Sequence, residues 1–202
     1  MKAPTRRALA KQQTRAKVLA AARRLFSEQG YEGATIRDIA AAAGMSTGAV
    51  FANFADKSDL FREIMIVDMA ALADAMSAAA NGATTAGEGL LKMFMAGYGF
   101  YQTQLPLARA AFSVGWSPQD GPALRSAPPV QVLHELLLDQ LNRAAARGEL
   151  VAGADLELRA QMLFETYLSN YPQAIFGGWS LPALEARSSD QIRILLAGAR
   201  RN

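Results

Sequence analysis

Side chains able to perform acid–base, nucleophilic or metal chemistry are few in this chain of 202 residues. His134 is its only histidine and it has no cysteine, which excludes thiolate zinc sites, a disulfide scaffold and a cysteine nucleophile. His134 could orient a ligand or respond to pH, but a solvent-facing histidine on a helix fits the sequence equally well. The sequence has no nucleophile elbow, phosphate loop, dinucleotide motif or cluster of metal ligands. We therefore predict no catalytic residue, no metal and no cofactor.

Basic residues concentrate at the start of the chain. Residues 1–24 contain eight Lys and Arg and no Asp or Glu. Residues 1–62 hold 11 basic and 5 acidic residues, a net charge of +6, whereas residues 63–202 hold 10 and 13, a net charge of −3. The formal charge of +3 thus combines a basic head with a mildly acidic body. This asymmetry favours a polyanionic partner for the head, although a solvated helix face without a partner would have the same composition.

Helices are the elements expected to position these charges. Val, Ile and Thr make up 22 of the 202 residues, too few for a sheet protein, and 51% of the residues are hydrophobic, enough for a core. Arg23 and Arg24 interrupt the apolar run after the basic N-terminus, so no signal peptide is predicted. The longest uncharged run, 166–184, contains prolines and glycines and does not predict a membrane span. We expect an all-α, cytoplasmic protein without a membrane partner.

Two short helices with a tight turn are predicted in the basic head. Thr35 and Ser46 have the positions of N-caps, for helices at Ile36–Ala43 and from Thr47 to about Asn53. Gly44 permits the positive φ that a sharp turn between them requires. Two short helices joined in this way form a helix-turn-helix.

Gly48 and Lys57 are unusual at their predicted positions. A glycine inside a helix costs about 1 kcal/mol relative to alanine, which favours close approach to a ligand such as DNA over a helix that simply frays. Asp56 is predicted to cap a fourth helix, so Lys57 at its first position opposes the helix dipole. A bound phosphate would give this lysine a partner, and a harmless surface lysine is the alternative.

The stretch from Leu19 to Phe61 resembles the TetR family of one-component bacterial transcription regulators. The residues that carry the resemblance are Leu25, Phe26, Gly30, Tyr31, Thr35, Ile39, Ala40, Ala43, Gly44, Ser46, Gly48, Phe54, Lys57 and Leu60. The resemblance implies an N-terminal three-helix DNA-binding helix-turn-helix domain, residues 1–56. A larger helical effector-binding and dimerisation domain, residues 57–202, would follow it, giving about nine helices in all.

The resemblance also implies a double-stranded DNA operator as a partner. Thr35 and Lys57 would hold phosphates, and residues 46–49 would lie in the major groove. Phe51 and Asn53 depart from the family pattern, because Phe replaces the usual Tyr and Asn replaces the common His or Tyr. The predicted DNA-binding residues are Thr35, Arg37, Ser46, Thr47, Gly48, Ala49, Phe51, Asn53 and Lys57.

Hydrophobic periodicity predicts further helices in the body. Their approximate ranges are 58–78, 89–105, 106–114, 130–147, 155–176 with a kink near Pro172, and 188–199. Ser188 is the predicted N-cap of the last helix. Loops are expected at 81–87 and 115–129.

Aromatic and methionine side chains are frequent in the middle of the body. They are consistent with a mostly apolar ligand cavity that has a few orienting hydroxyls, and equally with a plain core. The family resemblance favours a pocket for a small, mostly apolar effector. The predicted ligand-binding residues are Met69, Phe94, Tyr98, Tyr101, Phe112, Trp116, His134, Phe164, Tyr167 and Tyr171.

The family resemblance further implies a homodimer in which the last two long helices pair with their copies. The predicted contact residues are Met162, Leu163, Thr166, Leu168, Asn170, Ile192, Leu195, Leu196 and Ala199. A dimer also suits the head, because two helix-turn-helix units on a twofold axis read two half-sites.

The expected function is that of a ligand-responsive DNA-binding regulator and not an enzyme. A repressor would leave its palindromic operator when the effector binds the second domain. Three alternatives remain: a constitutive DNA binder with a solid body, an enzyme on the same scaffold, and an activator. The missing catalytic residues disfavour the enzyme, and the sequence does not separate activator from repressor.

Overall fold

The computed structural model describes residues 5–115, 128–151 and 154–198. Over these ranges the architecture is all-α, as predicted. The helices are α1 (Arg6–Gly33), α2 (Ile36–Ala42), α3 (Thr47–Phe51), α4 (Lys57–Ala80), α5 (Ala86–Gln102), α6 (Leu105–Gly115), α7 (Pro128–Ala146), α8 (Leu156–Ser169), α9 (Tyr171–Ile175) and α10 (Leu181–Leu196). Helix α1 is interrupted at Gly30, whose φ is 76°.

Side-chain caps determine where several of these helices begin. Thr35 and Ser46, both predicted N-caps, each accept a hydrogen bond from the backbone N–H three residues further on, and so does Asp155 at the start of α8. Thr85 caps α5 in the same way. This cap was missed in the sequence, and it starts α5 inside the predicted loop 81–87.

The prediction that Ser188 caps the last helix is wrong. Helix α10 begins directly after Ser180 and has Pro182 in its first turn, where the missing N–H of a proline removes no helical hydrogen bond. Ser188 is fully buried within α10. It lies four residues from both Leu184 and Ile192, so it belongs to the buried stripe of the helix.

Helices α8 and α9 replace the single kinked helix predicted for 155–176. They are separated at Asn170, and Pro172 lies in the first turn of α9. Proline has no N–H to donate to the carbonyl four residues earlier, so the α8 hydrogen-bond pattern cannot continue through it. Of the predicted loop 115–129, residues 116–127 lie outside the described residues.

The uncharged run 166–184 does not form one continuous helix, because it is divided among α8, α9 and α10. Among the described residues, no helix has the length and apolar character needed to cross a bilayer.

The described residues form two compact units. The first contains residues 5–67 and 104–115, and the second contains residues 68–103 and those from Pro128 onward. The predicted division after residue 56 therefore does not coincide with the limits of the compact units, because the first part of α4 and all of α6 pack with the helix-turn-helix. That division remains a prediction about function.

The first unit has a continuous apolar core. Phe26, Tyr31 and Phe61 form an aromatic group with ring centroids 5.0 to 5.5 Å apart. Other buried members are Val18, Ala22, Leu25, Ile39, Ala40, Val50, Phe54, Leu60, Ile64, Leu107, Ala110 and Val114. This core fixes α2 and α3 against α1, α4 and α6.

Helix α5 is central in the second unit, where it contacts α7, α9 and α10. Two of its glycines permit close packing. A Cβ atom at Gly89 would lie 2.0 Å from Nε2 of Gln140, and one at Gly97 would lie 2.1 Å from the hydroxyl of Tyr167. Both distances are far shorter than a non-bonded contact, so these side chains occupy the space that glycine leaves.

Candidate nucleic-acid interface

The turn between α2 and α3 is a Schellman motif. The N–H of Gly44 donates to the carbonyl of Ala41 at 3.0 Å, and the N–H of Met45 donates to that of Ala40 at 2.9 Å. Gly44 has a φ of 69°, the left-handed conformation expected at this position. The predicted helix-turn-helix is therefore present, with glycine required by its backbone geometry.

Thr35 and Ser46 are exposed and also act as helix caps. The Thr35 hydroxyl accepts from the N–H of Asp38 at 3.2 Å and donates to the carboxylate of Asp38 at 2.5 Å. The Ser46 hydroxyl accepts from the N–H of Ala49 at 3.2 Å. Both side chains are thus fixed at helix starts, where N–H groups and the helix dipole favour an anion.

The exposed face of α3 is small and nearly apolar. Thr47 and Gly48 are exposed, and Phe51 is 55% exposed. A Cβ at Gly48 would have only the Ser46 hydroxyl within 4 Å, at 3.9 Å. The fold would accommodate a side chain at Gly48, so internal packing does not require glycine there.

Asn53 is directed toward its own helix. Its side-chain amide donates to the carbonyl of Ala49 at 2.9 Å, and the residue is half-buried. The amide group of Asn53, a predicted DNA-binding residue, therefore already donates one hydrogen bond within the chain, at the end of α3. Ala49 is half-buried as well, whereas Arg37 on α2 is exposed.

Arg15 attaches α1 to the end of α3. Its guanidinium donates to the carbonyl of Asn53 at 2.6 Å, pairs with the carboxylate of Glu63 and lies 4.4 Å from the ring centroid of Phe54. From the sequence alone, Arg15 is one of the eight basic residues within residues 1–24 and has no other predicted role. Its positioning role depends on partners 38 to 48 residues away, for which the sequence contains no local signal.

Lys57 also has partners within the first unit. Its ammonium donates to the carbonyl of Tyr31 at 2.9 Å, lies 4.4 Å from the centroid of that ring and is 3.9 Å from the carboxylate of Glu32. Asp56 caps α4 as predicted, accepting from the N–H of Asp59 at 2.7 Å. That hydrogen bond lowers the pKa of Asp56, so the cap is charged at neutral pH.

The predicted ligand residues are only partly brought together. Tyr98, Tyr101, Tyr167 and Tyr171 are buried side by side, with ring centroids 5.0 to 6.1 Å apart. We call these four the tyrosine cluster. Phe94 lies 5.1 Å from the ring of Tyr167, and the hydroxyl of Tyr101 is 3.7 Å from the sulfur of Met69.

A polar network adjoins the tyrosine cluster. The fully buried Asn170 donates to the hydroxyl of Tyr98 at 3.1 Å and to Oε1 of Gln191 at 2.8 Å, and its own Oδ1 accepts from Arg187 at 2.9 Å. The hydroxyls of Tyr167 and Tyr171 are 3.0 Å apart. Burial raises the pKa of Tyr98 to about 12 and also raises those of Tyr101, Tyr167 and Tyr171.

His134 and Phe164 form a separate pair in the second unit. Their ring centroids are 6.4 Å apart, and Nε2 of His134 is 3.7 Å from the carboxylate of Glu157. Within the described ranges, no group of three or more His, Cys, Asp or Glu residues is placed to hold a metal ion. Phe112 belongs to α6 in the first unit, and Trp116 lies outside the described residues.

Four of the predicted dimer contacts are buried in the core of their own subunit. Leu163, Asn170, Ile192 and Leu196 are at most 2% exposed, so the predicted contact surface is corrected to exclude their side chains. Met162 is 42% exposed, while Thr166, Leu168 and Leu195 are half-buried. Ala199 lies outside the described residues.

Two exposed apolar residues on α8 and α10 were missed. Leu158 is 50% exposed and Ile194 is 62% exposed. With Met162 and Leu195 they line a shallow depression of about 340 Å³, beside a hydrogen bond from Arg159 to the carbonyl of Leu195. The four-residue spacing of Leu158, Met162 and Thr166 is the sequence signal for this stripe.

The strongest sequence similarity to known proteins lies in the N-terminal part of the chain. Residues 18–64 match the family model described as bacterial regulatory proteins, tetR family. The HTH-type transcriptional repressor AcnR of Corynebacterium glutamicum is 42% identical over 79 residues, covering 39% of this chain and 41% of that relative. The regulator AcrR of Shigella flexneri is 51% identical over 53 residues, covering 26% and 25%. The matched region thus spans less than half of these relatives.

Solved structures resemble the whole fold at low sequence identity. The fatty acid degradation regulator FadR of Bacillus halodurans has a TM-score of 0.72 and 20% identity, with all of both chains covered. FadR of Bacillus subtilis, solved with stearoyl-CoA, has a TM-score of 0.71 and 20% identity, covering 92% of this chain and 99% of that one. The family model describes regulatory proteins, the class that the sequence predicts. Its helix-turn-helix segment, residues 18–64, is thus similar to the tetR family of bacterial regulatory proteins.

Proposed function

We propose that the chain is a homodimeric transcriptional repressor that binds a palindromic DNA operator. The observation that carries this proposal is the exposed face of α3, held in a helix-turn-helix within a unit of net positive charge. Its relatives in this region are named repressors, which supports the direction of regulation. DNA binding implies a location in the bacterial cytoplasm.

The proposed DNA contacts follow the exposed groups of α2 and α3. Thr35 and Arg37 would hold phosphates at the start of α2, and Ser46 would do so at the start of α3. Thr47, Gly48, Ala49 and Phe51 would lie in the major groove. With so few polar groups on α3, recognition would depend on thymine methyl contacts and on DNA shape.

We propose that the dimer forms through α8 and α10. Exposed large apolar side chains grouped on two neighbouring helices mark a surface that needs a partner. A twofold arrangement of the same surface gives a closed dimer. A Met162→Glu, Ile194→Glu double variant should yield a folded monomer by light scattering, and an unchanged dimer would contradict this surface.

The proposed effector is a small, mostly apolar molecule that binds in the second unit. The tyrosine cluster with Phe94, Met69 and Asn170 offers apolar surface and fixed polar groups, the usual chemistry of a ligand site. An effector changes operator affinity only if it binds the DNA-competent and DNA-free conformations differently. Because α4 is continuous from Lys57 to Ala80, displacement at Met69 would act on the helix that also carries Lys57.

A specific observation favours a second candidate function, that of a constitutive DNA binder. The tyrosine cluster is closely packed, and the hydroxyl of Tyr167 fills the space above Gly97. A ligand at this site would have to displace buried rings. If none does, the second unit serves dimerisation alone.

Fluorescence anisotropy with DNA from upstream of the gene tests the proposal. We expect a specific complex at physiological salt whose affinity exceeds that for random DNA by at least about 10³. Stearoyl-CoA and free fatty acids are suitable first effector probes, because a protein of the same fold was solved with stearoyl-CoA. Equal affinity for all DNA sequences would contradict a repressor. Operator affinity unchanged across a broad panel of apolar probes would favour the constitutive binder.

A further inference from the structure

The proposed base-reading helix α3 is attached to the first unit by few of its own side chains. Of the five residues of α3, only Val50 is buried. The turn at Gly44 and the Ser46 cap fix its N-terminal end. A helix of little more than one turn with a single buried side chain has low local stability of its own. Its orientation therefore depends on what holds its C-terminal end.

Three contacts of Arg15 hold that end. Its Nη1 donates to the carbonyl of Asn53 at 2.6 Å, and its Nη2 pairs with the carboxylate of Glu63. The guanidinium carbon also lies 4.4 Å from the ring centroid of Phe54, a residue that is 2% exposed. One side chain therefore joins α1, the segment that follows α3, and α4.

The combination of these contacts suits arginine and not lysine. The planar guanidinium of arginine donates in several fixed directions and stacks on an aromatic face, whereas the ammonium of lysine is a compact point charge. The carboxylate of Glu63 also balances the charge of Arg15 within the unit. Arg15 thus has the contacts of a junction between three segments.

We infer that Arg15 is a positioning residue that sets the preference of the protein for its operator over other DNA. This inference rests on the proposed DNA-binding function. Arg15 acts through Asn53 and Glu63 and not by touching DNA. Base contacts depend on the direction of the few exposed groups of α3, because hydrogen bonds weaken steeply with misalignment. Phosphate contacts carry no sequence information, so a misaligned α3 loses specificity before it loses general affinity.

The test removes the Arg15–Glu63 pair without changing the net charge. The double variant Arg15→Gln, Glu63→Gln of the full chain loses one basic and one acidic group. Its matched control is Arg24→Gln, Glu28→Gln, which removes an exposed ion pair of α1 with a nitrogen–oxygen distance of 3.4 Å. Glutamine is close to arginine and glutamate in helix propensity. Arg15→Lys is a milder variant that keeps the charge but not the planar fork.

Affinity is measured by fluorescence anisotropy over a salt series, for random duplex DNA and for the operator. The operator is the upstream fragment or, where that fragment is not preferred, the duplex that the wild type selects from a random-sequence pool. Circular dichroism gives each melting temperature, and binding is measured well below the lowest one. This separates positioning from stability, because a residue that only stabilises the fold leaves the affinity ratio of the folded protein unchanged.

We expect the ratio of operator affinity to random-DNA affinity to fall about tenfold for the double variant, the effect of about one lost base contact. Arg15→Lys should lower the ratio as well, and the control should keep the wild-type ratio. The slope of log K against log salt should keep its wild-type value in every variant, because no phosphate contact is removed.

A folded double variant with the wild-type ratio would overturn the inference. A slope shallower by about 0.9 would also overturn it, because Arg15 would then be a phosphate contact. Should the double variant not fold, the ratio of Arg15→Lys decides in the same way. If the selected duplex lacked a palindrome and the double variant lost the preference for it, the repressor proposal would fail while this inference stood. A wild type that prefers no duplex would overturn both.

Discussion

The ammonium group of Lys57 donates a hydrogen bond to the backbone carbonyl of Tyr31 at 2.9 Å and lies 4.4 Å from the centroid of the Tyr31 ring. This contact explains a cation at the first position of α4, where the helix dipole disfavours it. The lysine binds a carbonyl beside the Gly30 interruption of α1. The Lys57 side chain is 24% exposed. Its ammonium group, predicted from the sequence to bind a phosphate, thus already has a partner within the chain.

We expect Lys57→Ala to lower the melting temperature of the protein by several degrees. The substitution removes a charge-assisted hydrogen bond, worth about 1.5–3 kcal/mol, and a cation–π contact, worth about 0.5–1 kcal/mol. Arg37→Ala, at an exposed position of the same unit, is the control and should leave the melting temperature unchanged. The DNA-binding salt slope of Lys57→Ala tests the phosphate prediction separately, because removing a cation that binds phosphate makes the slope shallower by about 0.9. An unchanged melting temperature would show that the Tyr31 contact contributes nothing.

Phe51 is expected to recognise thymine. Its side chain is 55% exposed on α3, four residues after Thr47, and a phenyl ring contacts the thymine 5-methyl group. Replacing the contacted operator thymine with deoxyuridine should weaken wild-type binding about fourfold, because burial of one methyl group contributes about 0.8 kcal/mol. Phe51→Ala should bind both DNAs equally, and Phe51→Tyr should keep the discrimination. If Phe51→Ala still preferred thymine, another residue would provide the contact.

Local signals in the sequence were sufficient to place the helix-turn-helix and the helix starts around it. Thr35, Ser46, Asp56 and Gly44 act through hydrogen bonds or dihedral angles within a few residues, and the structure has each where it was predicted. The family pattern in the same segment confirmed their assembly into a helix-turn-helix.

Contacts between distant segments were not predictable in this way. Arg15 reaches Asn53, and Lys57 reaches Tyr31, and no local spacing indicates such pairs. Asn170 was expected at a dimer surface, but the chain folds it into its own core. Periodicity identifies the apolar face of a helix without indicating whether that face packs within the subunit or against a second copy.

Gly97→Ala is expected to destabilise the protein by about 1–3 kcal/mol. The new Cβ would lie 2.1 Å from the hydroxyl of Tyr167, a fully buried ring that cannot move without strain. Gly99→Ala on the same helix is the matched control, because a Cβ there has no atom within 4 Å. That control should stabilise the protein by about 1 kcal/mol through helix propensity. Chemical denaturation measures both, and equal effects of the two substitutions would contradict the close packing of α5 on α8.

Stability should fall steeply at alkaline pH because of the tyrosine cluster. Burial raises the pKa of Tyr98 to about 12, whereas an unfolded tyrosine titrates near 10. Above about pH 10 the unfolded state loses its phenolic protons while the folded state keeps them, so unfolding becomes more favourable as pH rises. For each tyrosine that stays neutral in the folded state, the free energy of unfolding decreases by about 1.4 kcal/mol per pH unit until the pH reaches the folded-state pKa. Below pH 10 these groups contribute no pH dependence.

Denaturation at a series of pH values, with tyrosinate absorbance recorded in parallel, measures this effect. Lysines titrate in the same range, so the informative comparison is between the wild type and Tyr98→Phe, which have the same lysines. Tyr98→Phe should be less stable at neutral pH, because Asn170 loses the hydroxyl to which it donates, and its stability should decline less steeply above pH 10. Ionisation of the cluster before the loss of helical circular dichroism would contradict the prediction, because it would require phenolic groups that water reaches in the folded protein.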